Sequence, residues 1–234
     1  MDRRLHCQRL IATAIAVVLA GALQTLRAQE NWRDTLNALN REIASAAVWS
    51  TDLHLRKAAA NLQLQQWQYA IDEYTLILQK EAQNPAALFY RAYANTHLRR
   101  YALARADYQE LLNIFPRHFE ARLSLAYVLQ MTGKQTEALD QLNQTVEQHP
   151  DSVGGYVARA NLEQAMKQYD AAVYDWQTAI AKAPQEVGYV ASLTDLLIRL
   201  DRRREARQVL DDAVKRGIPR GLLKEWFFQL RIKS

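Results

Sequence analysis

The stretch Tyr156 to Pro184, YVARANLEQAMKQYDAAVYDWQTAIAKAP, decides how the chain is read, because it recurs along the sequence at a stride of 34 residues. Strides of 34 through Ala172 land on Ala70, Ala104, Ala138 and Ala206. Four residues past each alanine stands a bulky residue, Tyr74, Tyr108, Leu142, Trp176 or Leu210, and eight past stands Leu78, Leu112, Val146, Ile180 or Val214. Spacings of four and eight put the three on one face of a helix. Twelve residues before the alanines runs a second small column, Ala58, Ala92, Ala126, Ala160 and Thr194. Small residues at that offset mark a second helix approaching closely, so each unit is a helical hairpin. Proline closes the unit at Pro116, Pro150 and Pro184, slipped by three residues at Pro85 and by one at Pro219, and helices end before such prolines.

These residues resemble the tetratricopeptide repeat, whose period is 34 and whose pattern runs W-x2-L-G-x2-Y, then A-x3-F, then P. The resemblance covers five units, residues 51–218. It implies an all-α fold, a right-handed superhelical solenoid of about five hairpins with N- and C-terminal capping helices, that binds proteins or peptides on its concave side. Fold-level resemblance does not name the partner. The five hairpins are expected near 52–82, 85–115, 119–149, 153–183 and 187–217, forming one helical array without linkers.

Residues 1–28 place Arg3, Arg4 and Arg9 before an apolar run from Leu10 to Leu23, with small Ala28 at the end. That order is an export signal, and the run is short for a membrane span. Cleavage is expected after Ala28, with Ala20-Gly21-Ala22 as the alternative site and an uncleaved anchor as the other outcome. Cys7, the only cysteine, precedes the apolar run, which argues against a lipoprotein. The expected product is a bacterial protein of the periplasm or cell envelope. Without residues 1–28, Lys and Arg fall from 30 to 26 and Asp and Glu from 25 to 24, so the net charge drops from +5 to +2. A charge that small argues against a nucleic-acid partner. The remaining chain has no cysteine and needs no disulfide.

Between residues 29 and 50, Trp32, Leu36, Leu39 and Ile43 form one amphipathic stripe, a capping helix or degenerate half-repeat over the first hairpin. Residues Ser50, Thr51 and Asp52 supply N-cap candidates for the helix that follows.

One pair of columns carries charge. Lys57, Arg91, Leu125, Arg159 and Leu193 stand before the small first-helix residues. Sixteen positions later stand Glu73, Asp107, Gln141, Asp175 and Val209. Inter-helix ion pairs are expected in units one, two and four and uncharged contacts in units three and five. As partly exposed pairs they would contribute roughly 0–1 kcal/mol each and mainly set register.

Catalysis needs a nucleophile, a base and a group to hold developing charge in one pocket. The five histidines, His6, His54, His97, His118 and His149, lack metal-ligand spacing, and the seven glycines form no phosphate loop. No catalytic residue, metal or cofactor is expected. His118 and His149 read as solvated turn residues.

The expected binding surface is the first-helix face of units two to four. Its residues are Phe89, Tyr93 and His97, then Leu123, Tyr127 and Gln130, then Val157, Asn161 and Gln164. Tyr93, Tyr127 and Asn161 share one column. Aromatic and amide side chains together can bury a peptide while hydrogen-bonding its backbone. Family members that clamp a C-terminal carboxylate carry lysine where this chain has Leu55, Phe89, Leu123, Val157 and Ala191, so that role is not expected. The alternative interface is the C-terminal end, where residues 201–234 hold ten Lys/Arg against five Asp/Glu. Arg202, Arg203, Arg204, Trp226 and Phe227 are its candidates, on or before a final capping helix at 219–234. Membrane contact is expected only through an uncleaved signal or this basic end.

Overall fold

In the computed structural model, which describes residues 27–231, the 34-residue stride becomes a stride of helices. A first helix, α1, runs through residues 27–45. It is followed by α2 (Thr51–Gln63), α3 (Trp67–Lys80), α4 (Pro85–His97), α5 (Tyr101–Ile114), α6 (Phe119–Met131), α7 (Gln135–Gln148), α8 (Val153–Ala165), α9 (Tyr169–Lys182), α10 (Val187–Arg199) and α11 (Arg203–Lys215). A 3-10 turn, Arg220–Leu223, leads into a short α12, Lys224–Gln229. No strand occurs among the described residues, and none of their helices is long and apolar enough to cross a membrane. Of the expected export signal at residues 1–28, residues 1–26 lie outside the described residues.

The helices are packed as consecutive hairpins, α2 with α3, α6 with α7, α8 with α9 and α10 with α11. Both small columns are sealed: Ala58, Ala92, Ala126, Ala160 and Thr194 on the first helices, and Ala70, Ala104, Ala138, Ala172 and Ala206 on the second, are fully buried. A side chain no larger than a methyl lets two helix backbones approach, and the bulky column Tyr74, Tyr108, Leu142, Trp176 and Leu210 fills the space beside it. The chain divides into two compact units, an N-terminal and a C-terminal one, parting between Asp107 and Tyr108 within α5. In stacked repeats each hairpin is stabilised by its immediate neighbours, so no single core ties the chain together.

Every first helix of the five hairpins ends the same way. Gln65, Arg99, Gly133, Lys167 and Asp201, again a 34-residue column, adopt left-handed φ of 56°, 57°, 76°, 62° and 58°. The next residue's N–H then bonds back to the carbonyl of Asn61, Asn95, Leu129, Glu163 or Leu197 at 2.8–2.9 Å, which satisfies the orphaned helix end. Only one of the five is glycine; the others bear the strain because the short turn leaves no other path.

The starts differ from one hairpin to the next. Ser50 caps α2 through the Leu53 amide, and Asn84 caps α4 through the Ala87 amide. Pro85, expected as a closing residue, is the first residue of α4, where its fixed φ suits a helix start and its missing N–H is not needed. His118, expected as a solvated turn residue, caps α6: its Nδ1 accepts from the Ala121 amide. His149 also works in its turn, with Nε2 3.0 Å from the Arg117 carbonyl and its ring edge-on to Phe119.

The charged columns meet as expected, at greater depth. Lys57 Nζ lies 2.6 Å from Glu73 Oε1. Arg91 donates from Nε and Nη2 to the two oxygens of Asp107 at 2.9 and 2.7 Å, and Arg159 does the same to Asp175 at 2.6 and 2.8 Å. Each arginine also reaches the preceding second helix, Arg91 to Thr75 and Arg159 to Asn143. Glu73, Asp107 and Asp175 are buried, which corrects the expectation of partly exposed pairs of small consequence. A buried carboxylate that loses its cation stays desolvated without compensation. Unit three departs from the expected uncharged contact as well. Arg122, buried and entering from three residues before Leu125, donates to Gln141 at 2.9 Å and to the Gln144 side chain and the Pro116 carbonyl. Burial lowers its pKa from the ordinary arginine value.

Candidate protein-binding surfaces

In the N-terminal compact unit, α4 carries Phe89, Tyr93 and His97 at spacings of four, on one helical face. Leu88, Ala92 and Asn95 take the other face into the core, which leaves Tyr93 39% exposed and His97 exposed. His97 stacks on Trp67 of α3, with centroids 4.1 Å apart and planes 3° from parallel, and Tyr93 packs edge-on to both rings at 6.1 and 4.5 Å. Trp67 was absent from the expected set. It stands two residues past the left-handed turn residue Gln65, and its signal in the sequence was a tryptophan at a helix start with no place in the buried columns. Phe89 is half-buried, with its ring edge-on to Tyr90 at 5.1 Å.

In the second unit, α6 presents Tyr127, 49% exposed, with Gln130 half-buried one turn on. On α8 Asn161 is exposed and donates to the Val157 carbonyl one turn back at 2.9 Å. Gln164 is engaged within the fold: its Oε1 accepts from Trp176 Nε1 at 3.2 Å, so it orients that core indole.

One turn from these lies a feature the sequence reading missed. Glu163 is buried, and its Oε2 has no hydrogen-bond partner among the described residues. Burial pushes its pKa up to about 7, the Asp175 carboxylate adds to the rise, and Arg159, 3.9 Å from Oε1, offsets part of it. One guanidinium therefore serves two buried acids, bonding Asp175 with both nitrogens and leaving Glu163 the weaker share.

The C-terminal candidates are drawn into the fold to different degrees. Arg202 bonds Asp170 at 2.8 Å and Glu205 at 2.7 Å. Arg203 donates to the Gln229 carbonyl at 3.1 Å. Arg204 is exposed. Trp226 donates from Nε1 to Asp195 at 2.7 Å. Phe227, expected at an interface, is a core residue with 4% exposure, its ring covered by the Arg220 guanidinium at 4.0 Å and Arg207 at 4.9 Å. Among the described residues, the large apolar side chains left outward at this end are Leu222 and Phe228. No group of three or more His, Cys, Asp or Glu side chains with metal-binding placement occurs among the described residues.

The tetratricopeptide repeat family model matches residues 86–118 and 120–152, on hairpins whose packing has just been described. These two stretches are tetratricopeptide repeats. Solved structures with the same fold include MamA from Desulfovibrio magneticus, 20% identical, with a TM-score of 0.64 over 73% of this chain and 96% of that one. A tetratricopeptide repeat protein from Parabacteroides merdae is 20% identical, with a TM-score of 0.63 over 96% of this chain and 85% of that one. YrrB, described as having an unusual peptide-binding site, is 14% identical, with a TM-score of 0.58 over 77% of this chain and 91% of that one. Among curated relatives, mouse peptidyl-prolyl cis-trans isomerase FKBP4 is 34% identical over 82 residues, 35% of this chain. The match spans 18% of that relative's length.

Proposed function

We propose that this protein is a non-catalytic adaptor of the cell envelope that holds a protein or peptide partner on the outward faces of its first helices. The observation that carries the reading is a contrast between neighbouring columns. Ala92 and Ala126 are sealed in the core, while Tyr93 and Tyr127, the very next residues, stand in solvent. Large aromatic rings left exposed at a repeated position supply contact area at low conformational cost. In the first unit Trp67 and His97 hold Tyr93 in place before any partner arrives, and preorganisation of that kind favours affinity. Exposed Asn161 and half-buried Gln130 add amides suited to a peptide backbone. The peptide-binding site named for YrrB and the family's general use of such repeats agree with a binding role. Placement in the envelope rests on the basic and apolar order of residues 1–28.

The test is affinity purification from the envelope fraction, followed by titration of the recovered partner against Tyr93→Ala and Tyr127→Ala. Truncation of a buried anchor costs about 2 kcal/mol or more of binding, so affinity is expected to fall at least about tenfold with helicity unchanged. Full affinity in both variants, with loss on Phe228→Ala or Leu222→Ala, would make the protein a structural subunit that docks through its C-terminal end.

A further inference from the structure

The C-terminal compact unit contains a cleft of about 340 Å³ between α9 and α11, floored by Leu193 of α10. We infer that this cleft receives an arginine side chain from a partner protein.

The repeats themselves show what the cleft is shaped for. In units two and four the first helix sends Arg91 or Arg159 between two second helices, to an acceptor on the preceding one (Thr75, Asn143) and a carboxylate on its own (Asp107, Asp175). At the matching positions unit five has Leu193 for the arginine, Gln177 for the preceding acceptor and Val209 for the carboxylate, and all three line the cleft. Leucine is too short to reach between the helices, so the space an arginine occupies elsewhere stands open. In unit three Arg122 brings a guanidinium to Gln141. In unit five the residue in Arg122's column is Val190, which is buried and bears no charge.

The lining fits a guanidinium on a long stem. Ile180, Leu193 and Val209 offer an apolar surface for the methylenes, and Glu205 and Asp212 place two carboxylates on the lining with the Gln177 amide. Arginine buries its stem along apolar surface while its planar head pairs with carboxylates. Glu205 and Asp212 are engaged by Arg202 and Lys215, in surface pairs that an incoming guanidinium can share. Arg216 is the one basic lining residue, and the two carboxylates outnumber it. This site is separate from the first-helix faces, so it stands or falls independently of the proposed function.

The test uses the full chain with labelled Ile, Leu and Val methyl groups and two probes, the blocked peptides Ala-Arg-Ala and Ala-Leu-Ala. The expected result is a saturable shift of the Ile180, Leu193 and Val209 methyl signals with the arginine peptide, roughly tenfold tighter than with the leucine peptide. Leu193→Arg/Val209→Asp, which restores the internal pair of unit four, is expected to abolish the Ile180 shift. Glu205→Gln/Asp212→Asn, both at the surface, is expected to weaken binding without disturbing the fold. No shift with the arginine peptide, equal binding of the leucine peptide, methyl shifts that follow protein concentration alone, or a response unaffected by either double variant would each overturn the assignment.

Discussion

Glu163→Gln tests the electrostatics of the fourth hairpin. The carboxyl is buried on α8, faces the Asp175 carboxylate and shares Arg159 with it, and its pKa is raised from 4.5 to about 7. In the folded chain Glu163 therefore keeps a proton that the unfolded chain releases. Stability contributed by the neutral carboxyl is fully present below about pH 4.5 and is lost as pH rises to about 7. A shift from 4.5 to about 7, at 1.36 kcal/mol per pH unit, sets an upper bound of about 3 kcal/mol, and water reaching the site reduces it. Glutamine imitates the protonated form at every pH. We expect Glu163→Gln to lie within about 1 kcal/mol of the parent near pH 5 and to exceed it by about 1–3 kcal/mol at pH 8, a rise in thermal midpoint of roughly 2–4 °C per kcal/mol for a chain of this size. The assay is thermal unfolding followed by far-UV circular dichroism from pH 5 to 8. Parallel pH profiles for the two proteins would show that Glu163 does not titrate in that window and that Arg159 stabilises both acids.

Other outcomes follow from the packing. Arg159→Leu leaves the buried Asp175 carboxylate without its cation and is expected to cost about 3 kcal/mol, whereas Arg159→Leu/Asp175→Val, the solution unit five uses, should cost much less; a urea double-mutant cycle without coupling would contradict this. Ala138→Leu overpacks a fully buried helix contact and is expected to cost about 1–3 kcal/mol by the same assay; a loss under about 0.5 kcal/mol would mean that the contact has slack. Gly133→Ala places a Cβ in open space at φ +76°, so its cost, about 1 kcal/mol by urea melt, is conformational only.

The hairpins were legible because the stride repeats small residues where helices must touch, and steric exclusion leaves few alternatives at Ala70, Ala138 or Ala160. The ion pairs were legible because charge varied together at columns sixteen residues apart. Their depth was not, since burial of Asp175 depends on what Arg159 and its neighbours cover. Arg122 was missed because it reaches the unit-three site from a different column. The left-handed column at Gln65, Arg99, Lys167 and Asp201 was hidden because only Gly133 announces it. Tyr93 and Tyr127 stand exposed, whereas Trp67 and the internal use of Gln164 depend on packing between helices that periodicity does not specify. At the C-terminal end, counting basic residues missed that Arg202 lies between two acids and that two arginines cover Phe227.

Photo-crosslinking in cells bears most directly on the proposed binding role. A photoreactive phenylalanine analogue is introduced in place of Tyr93, Tyr127 or Phe228, one at a time, and the adducts are identified by mass spectrometry. The account predicts that the substitutions at Tyr93 and Tyr127 capture the same partner while that at Phe228 captures none. Adducts from Phe228 alone would contradict it and place the working surface at the C-terminal end.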